Sequence, residues 1–320
     1  MSRKTFTKEI GVILGALTCC TLWGSAFPGI KVGYGFWNIE SSDTSGIIVF
    51  AGARFFLAGI LVILFAGLAG RKFLFPKRGE FPKIMFLSLF QTIGQYFFFY
   101  MGLARTTGVN SSVINSTTTF FSILSAVFLF RMEKLTVKKV LGCLLGFLGI
   151  LLINITKDGF SVNLLGDGMI VLSSLCYGIS SCLIKKYSAE HDTVTFSGYQ
   201  FMFGGFVMIV LGVLGDVLKN VIKGVPGDLG RAITPSLPAV LILLYLAFVS
   251  SVAYTLWGIL LRNNDVSKIS VFGFTNPIIG VLLCAIFLGE KDQLGWRYLI
   301  ALLLVSMGII LVNRKGKKIY

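Results

Sequence analysis

Charge is scarce in this chain. Only 13% of its 320 residues are Asp, Glu, Lys or Arg, where a soluble domain carries roughly a quarter. That excludes an ordinary soluble protein. There is one histidine, His191, no HExxH run, and no Asp pair inside an apolar stretch. The usual signatures of a metal hydrolase or an intramembrane protease are therefore missing. The six cysteines (Cys19, Cys20, Cys143, Cys176, Cys182 and Cys284) lie in apolar runs with no CxxC pair. They read as small buried hydrophobes rather than disulfides or metal ligands. The largest polar piece, about residues 217 to 236, is a Gly/Pro-containing loop too short to fold alone. Polar–apolar alternation over ten residues, the mark of membrane strands, is absent. Neither a catalytic centre nor a cofactor or metal site is expected, and the chain is not read as an enzyme.

What is present is hydrophobic length. The chain is 55% hydrophobic with mean hydropathy +0.84, and apolar runs of about 20 residues recur along it, long enough to span a bilayer as helices. The expected spans are 10–31, 45–68, 83–103, 111–130, 137–155, 166–187, 196–216, 237–260, 267–288 and 294–312. The start, with Arg3, Lys4 and Lys8 before an apolar run, resembles a signal peptide, but no A-x-A site follows, so it is read as a first transmembrane helix. The net charge of +15 would suggest nucleic acid in a soluble protein; here the positive-inside rule accounts for it. With ten spans, 20 basic residues fall on the side holding both termini and 8 on the other, with Arg54 inside a span. Both termini are accordingly expected in the cytoplasm, in the plasma membrane, with the lipid bilayer rather than nucleic acid as the surrounding partner.

The stretch from Arg105 to Ile153 returns 157 residues later. Arg105 falls on Arg262, Val109 on Val266, Thr118 on Thr275, Phe130 on Phe287, Glu133 on Glu290 and Lys134 on Lys291. Gly149-Ile150-Leu151-Leu152 is echoed by Gly308-Ile309-Ile310-Leu311. Gly24, Ile30 and Lys31 return as Gly178, Ile184 and Lys185; Gly52, Phe55, Gly59 and Ile63 return as Gly198, Phe201, Gly205 and Ile209. Such self-similarity marks a duplication. The halves are expected at 1–160 and 161–320. Five spans per half is an odd number, so the halves insert upside down relative to each other. Inverted repeats characterise secondary transporters, whose substrate lies near the midplane between the repeats. The fold class is therefore an all-α membrane protein of ten transmembrane helices in two inverted five-helix repeats.

These residues carry a family resemblance over nearly the whole chain. Leu22-Trp23-Gly24-Ser25 in span 1, Ala53-Arg54-Phe55-Phe56-Leu57-Ala58 opening span 2, and the helix–Glu–Lys–helix–Gly blocks at 117–153 and 275–312 resemble the EamA-type family of the drug/metabolite transporter superfamily. Span 9 has Asn276-Pro277 where span 4 has Thr119-Phe120, so it stays open whether the two helices bend alike. The resemblance implies a central cavity lined by spans 1–4 and 6–9, and export or exchange of small metabolites, commonly amino acids.

Polar residues inside spans are the candidate substrate contacts. Arg54 is costly in a span, about 2.5–3.5 kcal/mol on insertion scales. It either receives an anionic group or ties helices by bonding backbone carbonyls; its mirror is Gln200. Helical stripes run through Ser88, Gln91, Thr92 and Gln95; through Asn115, Thr118, Thr119 and Ser122; through Ser173, Tyr177 and Ser181; and through Ser250, Tyr254 and Trp257. They line a cavity or bond across helix interfaces. Trp23, Tyr177, Tyr254 and Trp257 either stack on a solute or pack the core. The expected substrate-binding set is Trp23, Arg54, Gln91, Gln95, Asn115, Thr119, Tyr177, Gln200, Tyr254, Trp257 and Asn276. Gly142, Gly146 and Gly149 read as a close helix contact through packing, with dimerisation as the alternative; monomer or homodimer is undetermined. Glu133 and Glu290 read as helix-end anchors, and His191 as a solvated loop residue.

No Asp or Glu lies in the middle of an expected span, which argues against a carboxylate relay for bulky cations. The expected function is alternating-access export or exchange of a small neutral, zwitterionic or anionic solute, most plausibly an amino acid. A nucleotide-sugar or phosphorylated-metabolite exchanger and a channel-like permease are the alternatives.

Overall fold

In an all-helical membrane chain, polar residues should point inward and apolar ones outward. The computed structural model describes residues 9–40, 42–69, 74–103, 105, 114–154, 163–223, 236–287 and 296–313. Among them every regular element is a helix. They are α1 (Glu9–Phe36), α2 (Thr44–Leu68), α3 (Phe81–Ser88), α4 (Gln95–Leu103), α5 (Thr118–Leu124), α6 (Val137–Asn154), α7 (Leu164–Glu190), α8 (Thr193–Lys223), α9 (Leu237–Asn263), α10 (Val266–Ser270), α11 (Thr275–Phe287) and α12 (Trp296–Asn313). Six helical runs are long and apolar enough to cross a membrane: Glu9–Phe36, Thr44–Leu68, Arg78–Leu103, Leu164–Glu190, Thr193–Ile222 and Leu237–Asn263. Thr118–Leu129 and Leu299–Asn313 are shorter apolar helices. Leu68 and Leu164 are exposed, while Ser88, Thr92, Gln200 and Ser250 are fully buried. This is the polarity expected when lipid is the solvent.

Side-chain caps fix where several helices begin. Asp43 Oδ1 accepts from Gly46 N at 2.9 Å, Asn163 Oδ1 from Gly166 N at 2.9 Å, and Ser236 Oγ from Ala239 N at 3.3 Å, each satisfying an N–H that the helix leaves free. Inside the rods the helix departs from regularity in three places. Leu89–Gly94 joins α3 to α4 as a π-helical turn and Ser125–Leu129 extends α5 as another. Val271–Phe274 joins α10 to α11 as a 3-10 turn. Pro277 explains that third break, because it has no N–H for the Gly273 carbonyl. The corresponding stretch of span 4 holds a turn at Ser116 and Thr117 instead, so the two helices bend differently. α8 also runs past the expected end of span 7 and carries buried Asp216. Gly212 and Gly215 of that same end lie against Ser45, at the start of α2. Asp216 therefore sits at an end of the bundle and not at its centre.

The duplicated halves meet through their own copies. A Cβ on Gly52 would lie 2.8 Å from the Gly205 carbonyl, and one on Gly59 would lie 2.5 Å from the Gly198 carbonyl. Gly198 is the copy of Gly52, and Gly205 the copy of Gly59. Each contact is thus the repeat of the other, which defines a local two-fold relation between α2 and α8. The residue order makes the two helices antiparallel. α6 and α12 repeat the arrangement: a Cβ on Gly142 would lie 2.8 Å from the Gly308 carbonyl, and one on Gly149 would lie 3.0 Å from the Ala301 carbonyl. Gly146 lies against the Phe274 ring. The span-5 glycines are therefore contacts within the chain.

Candidate functional site

Because α2 and α8 cross as a two-fold pair, residues near their crossing meet their own counterparts. Phe55 and Phe201 stack with ring centroids 5.5 Å apart. Tyr96 and Tyr254, 158 residues apart in sequence, hydrogen-bond hydroxyl to hydroxyl. Trp23 and its copy Tyr177 complete the group. Three positions, each used twice, thus make one six-ring cluster. Phe55 lies 4.3 Å from Tyr96, Phe201 lies 5.2 Å from Tyr254, and Trp23 is 4.9 Å from both Tyr254 and Trp257. Tilted and edge-on ring pairs at these separations contribute about 0.5–1.5 kcal/mol each beyond burial. The rings fill their own centre, so a solute passing here must part them.

Arg54 and Gln200 flank this cluster as a mirrored pair. Arg54 is 3% exposed. Its Nε donates to Ser250 Oγ at 2.9 Å and to the Leu246 carbonyl at 3.3 Å, while its guanidinium carbon lies 5.3 Å from the Phe55 ring centre. Gln200 is tied across the halves at the corresponding place, but as an acceptor. Its Oε1 accepts from Thr92 at 2.8 Å, and its carbonyl accepts from Ser88 Oγ at 2.8 Å. At the spacing that relates Tyr96 to Tyr254, Ser88 falls on Leu246 and Thr92 on Ser250. The carbonyl-binding reading of Arg54 is the one its geometry displays.

Several buried polar atoms around the rings have no hydrogen-bond partner among the described residues. They include Trp23 Nε1, Trp257 Nε1, Gln95 Oε1 and Gln200 Nε2; Asn276 Oδ1, in α11, is in the same condition without a recorded contact to the rings. Gln91 and Gln95 are buried at the π-helical turn. That turn rotates the helix by one extra residue, a feature frequent at functional sites. Thr119 lies apart from the rings, its hydroxyl donating to the Ser270 carbonyl at 3.1 Å, and Asn115 is half-buried at the start of the same span. Of the expected set, Trp23, Arg54, Gln95, Tyr177, Gln200, Tyr254 and Trp257 gather at the two-fold centre. Phe55, Tyr96 and Phe201 belong with them and were not among the sequence candidates. Their signal was available: Phe55 and Phe201 are a repeated pair.

Two polar ties join the halves at the face rich in basic residues. The Glu133 side chain, 3% exposed, accepts from Lys139 Nζ at 2.8 Å and from Ser267 N at 3.3 Å. It also accepts from Val266 N and Ser267 Oγ. Burial raises its pKa, but hydrogen bonds from Lys139 and Ser267 and the nearby cations Lys139 and Lys185 outweigh it, so the net shift is downward. Glu133 is thus more than a local anchor, since it holds the start of α10 in the other half. Glu290 and Lys291 lie outside the described residues. His191 is no solvated loop residue either. Its Nδ1 lies 2.8 Å from Glu80 Oε1 and its Nε2 2.9 Å from Lys83 Nζ, and its ring stacks on Phe196. The ammonium can only donate, which makes Nε2 the acceptor and leaves Nδ1–H to donate to Glu80.

Comparison with known proteins adds the following. The EamA-like transporter family matches residues 10–155 and 164–314. An uncharacterized transporter of Archaeoglobus fulgidus is 28% identical over 304 residues, covering 95% of this chain and 98% of its own. A probable amino-acid metabolite efflux pump of Escherichia coli is 25% identical over 311 residues, covering 96% and 94%. A crystal structure of 17% sequence identity superposes with a TM-score of 0.73 over 97% of this chain and 96% of the other, which bears on the fold alone.

Proposed function

This chain belongs to the EamA-like transporter family, and on that premise we propose that it exports or exchanges an amino acid or a related neutral, zwitterionic or anionic solute across the plasma membrane. It works by alternating access, with ten spans in two inverted halves, 1–160 and 161–320, and both termini in the cytoplasm. The observation that carries the substrate reading is the set of unpartnered polar atoms at the six-ring cluster. Trp23 Nε1, Trp257 Nε1 and Gln200 Nε2 are donors, and Gln95 Oε1 is an acceptor. A buried polar group left unsatisfied costs about 1–3 kcal/mol. A carboxylate meeting the donors and an ammonium meeting the acceptor would recover that cost, while the rings cover an apolar body. The name of the Escherichia coli relative agrees with this class. A phosphorylated solute would need two or more available cations. Arg54, its Nε bonded to Leu246 and Ser250, supplies one cation beside the rings, whereas Lys185 Nζ is held by the Asn264 carbonyl at 2.6 Å, so a second is not at hand and that alternative is less supported.

The motion follows from the ties. When the basic face is closed, Glu133 holds Val266 and Ser267 while the Tyr96–Tyr254 bond closes the centre. Opening toward that face requires both of these, and the His191 tie to Glu80 and Lys83, to part as the halves rock about the glycine crossings. Purified protein in liposomes loaded with unlabelled amino acids tests the reading by counterflow of a labelled amino acid. Saturable exchange is expected. Trp23→Phe and Trp257→Phe keep a ring and remove one N–H, and each is expected to raise half-saturation about tenfold, the loss of roughly one hydrogen bond. Ohmic current without exchange would point to a channel, and unchanged half-saturation in both variants would remove the indoles from the solute's contacts.

A further inference from the structure

Away from the six rings, a cleft of about 560 Å³ opens between α2, the first turn of α8 and the last turns of α9. Its volume falls within the range of ligand clefts, about 300–1,000 Å³. Its lining is apolar along Val62, Phe65 and Ala66 of α2 and Val252, Leu256 and Ile259 of α9. Phe65 is 42% exposed beside Phe248 at 43%, their rings 6.1 Å apart, so this apolar lining continues into the surface that faces lipid. The other end is polar and holds Arg262, Asn263, Thr193 and Asp192. Asp192 is occupied as a helix cap, its Oδ2 accepting from Thr195 N at 2.9 Å and Thr195 Oγ1 at 3.0 Å. Asn263 donates through Nδ2 to the Ile259 carbonyl, which leaves its Oδ1 and the Arg262 guanidinium at the mouth. Arg262 pairs with no carboxylate among the described residues.

A second observation points to a ligand. Thr193 is 3% exposed, and its hydroxyl is buried with no partner among the described residues; the Thr255 hydroxyl, on the facing wall, is in the same condition. Two unsatisfied donors, a cation and an apolar trough in one cleft describe the complement of an amphiphile with an oxygen-rich anionic head. We propose that this cleft binds an acidic phospholipid from the leaflet on the basic face, its phosphate at Arg262 and Thr193 and one acyl chain along Phe65, Ala66 and Leu256. Basic pockets between membrane helices hold acidic headgroups in this way. A bilayer lipid is the occupant because the apolar wall is open sideways to the lipid-facing surface.

The full chain in mild detergent, supplied with phosphatidylglycerol or phosphatidylcholine of matched chains, tests this by native mass spectrometry of retained lipid. Phosphatidylglycerol is expected to be retained preferentially. Arg262→Gln is expected to reduce that preference about fivefold, the equivalent of about 1 kcal/mol for a cation at an acidic membrane surface. Ala66→Phe is expected to fill the trough and lower retention of both lipids. Lys186→Gln removes the same charge from an exposed position outside the cleft lining and is expected to leave the preference unchanged. Equal retention of the two lipids by the parent protein, or equal losses in Arg262→Gln and Lys186→Gln, would overturn the proposal. Should Ala66→Phe fail to fold, the Arg262 and Lys186 comparison decides alone.

Discussion

Arg54 and Gln200 occupy the same position in the two halves and show how far a side chain can change when its neighbours stay fixed. Both reach across to the partner helix at residues related by the duplication, yet one is a cation and the other a neutral amide. Arg54→Gln should therefore keep a donor for Ser250 and fold nearly as well as the parent. Arg54→Ala should lose about 1.5–3 kcal/mol, the usual contribution of hydrogen bonds to a charged group. Thermal unfolding of the purified variants checks the ranking; Arg54→Gln falling as low as Arg54→Ala would mean that the positive charge itself holds the fold. Glu133 gives a pH signature. Its folded pKa lies below its ordinary value of 4.5, so its contribution is complete above that value and is lost as pH falls through the lower folded value. The stability gap between parent and Glu133→Gln should stay constant from pH 7 to about 5 and narrow only in stronger acid. A gap that closes near neutrality would assign the tie to another group. The sequence flagged Arg54 because an arginine in an apolar run is conspicuous. It could not flag Glu133 or His191 as ties, because their partners lie more than a hundred residues away.

Among the helices, those expected from apolar length correspond closely with those observed wherever the chain is described, and their interruptions do not. Hydrophobic period locates a rod, but a π-helical turn at Leu89–Gly94 leaves that period almost intact. Only Pro277 announced a break in advance. The glycine crossings were legible as repeated letters, although not as a contact between copies. Gly205→Ala would put a Cβ 2.3 Å from Phe56 N, and Gly59→Ala would put one 2.5 Å from the Gly198 carbonyl. Backbone cannot give way as a side-chain tip can, so each substitution should cost about 1–3 kcal/mol or more through overpacking. Gly67, which faces open space in α2, should accept Ala with no loss. Folded yield and melting temperature of the three variants check this, and similar values throughout would mean that the crossing tolerates separation.

For the molecule as a whole, the duplication was the most informative thing in the sequence, since it implied opposed halves before any helix was placed. Antiparallel packing of α2 on its copy α8, and of α6 on α12, follows from that implication. Orientation in the bilayer rests on the 20 and 8 basic residues of the two faces. Reporter tags at residues 1 and 320 should both be active only in the cytoplasm, and a split between the two sides would undo the ten-span arrangement. The solute is less legible than the fold, because polar atoms that await a partner become visible only when their neighbours are placed. Phe55 against Phe201 and Tyr96 against Tyr254 carry a longer consequence. Where a doubled gene folds so that a position confronts its own descendant, neither copy can drift alone. A bulkier ring in one must be answered by a smaller one opposite, so relatives of this chain should exchange large and small residues at these two pairs in concert.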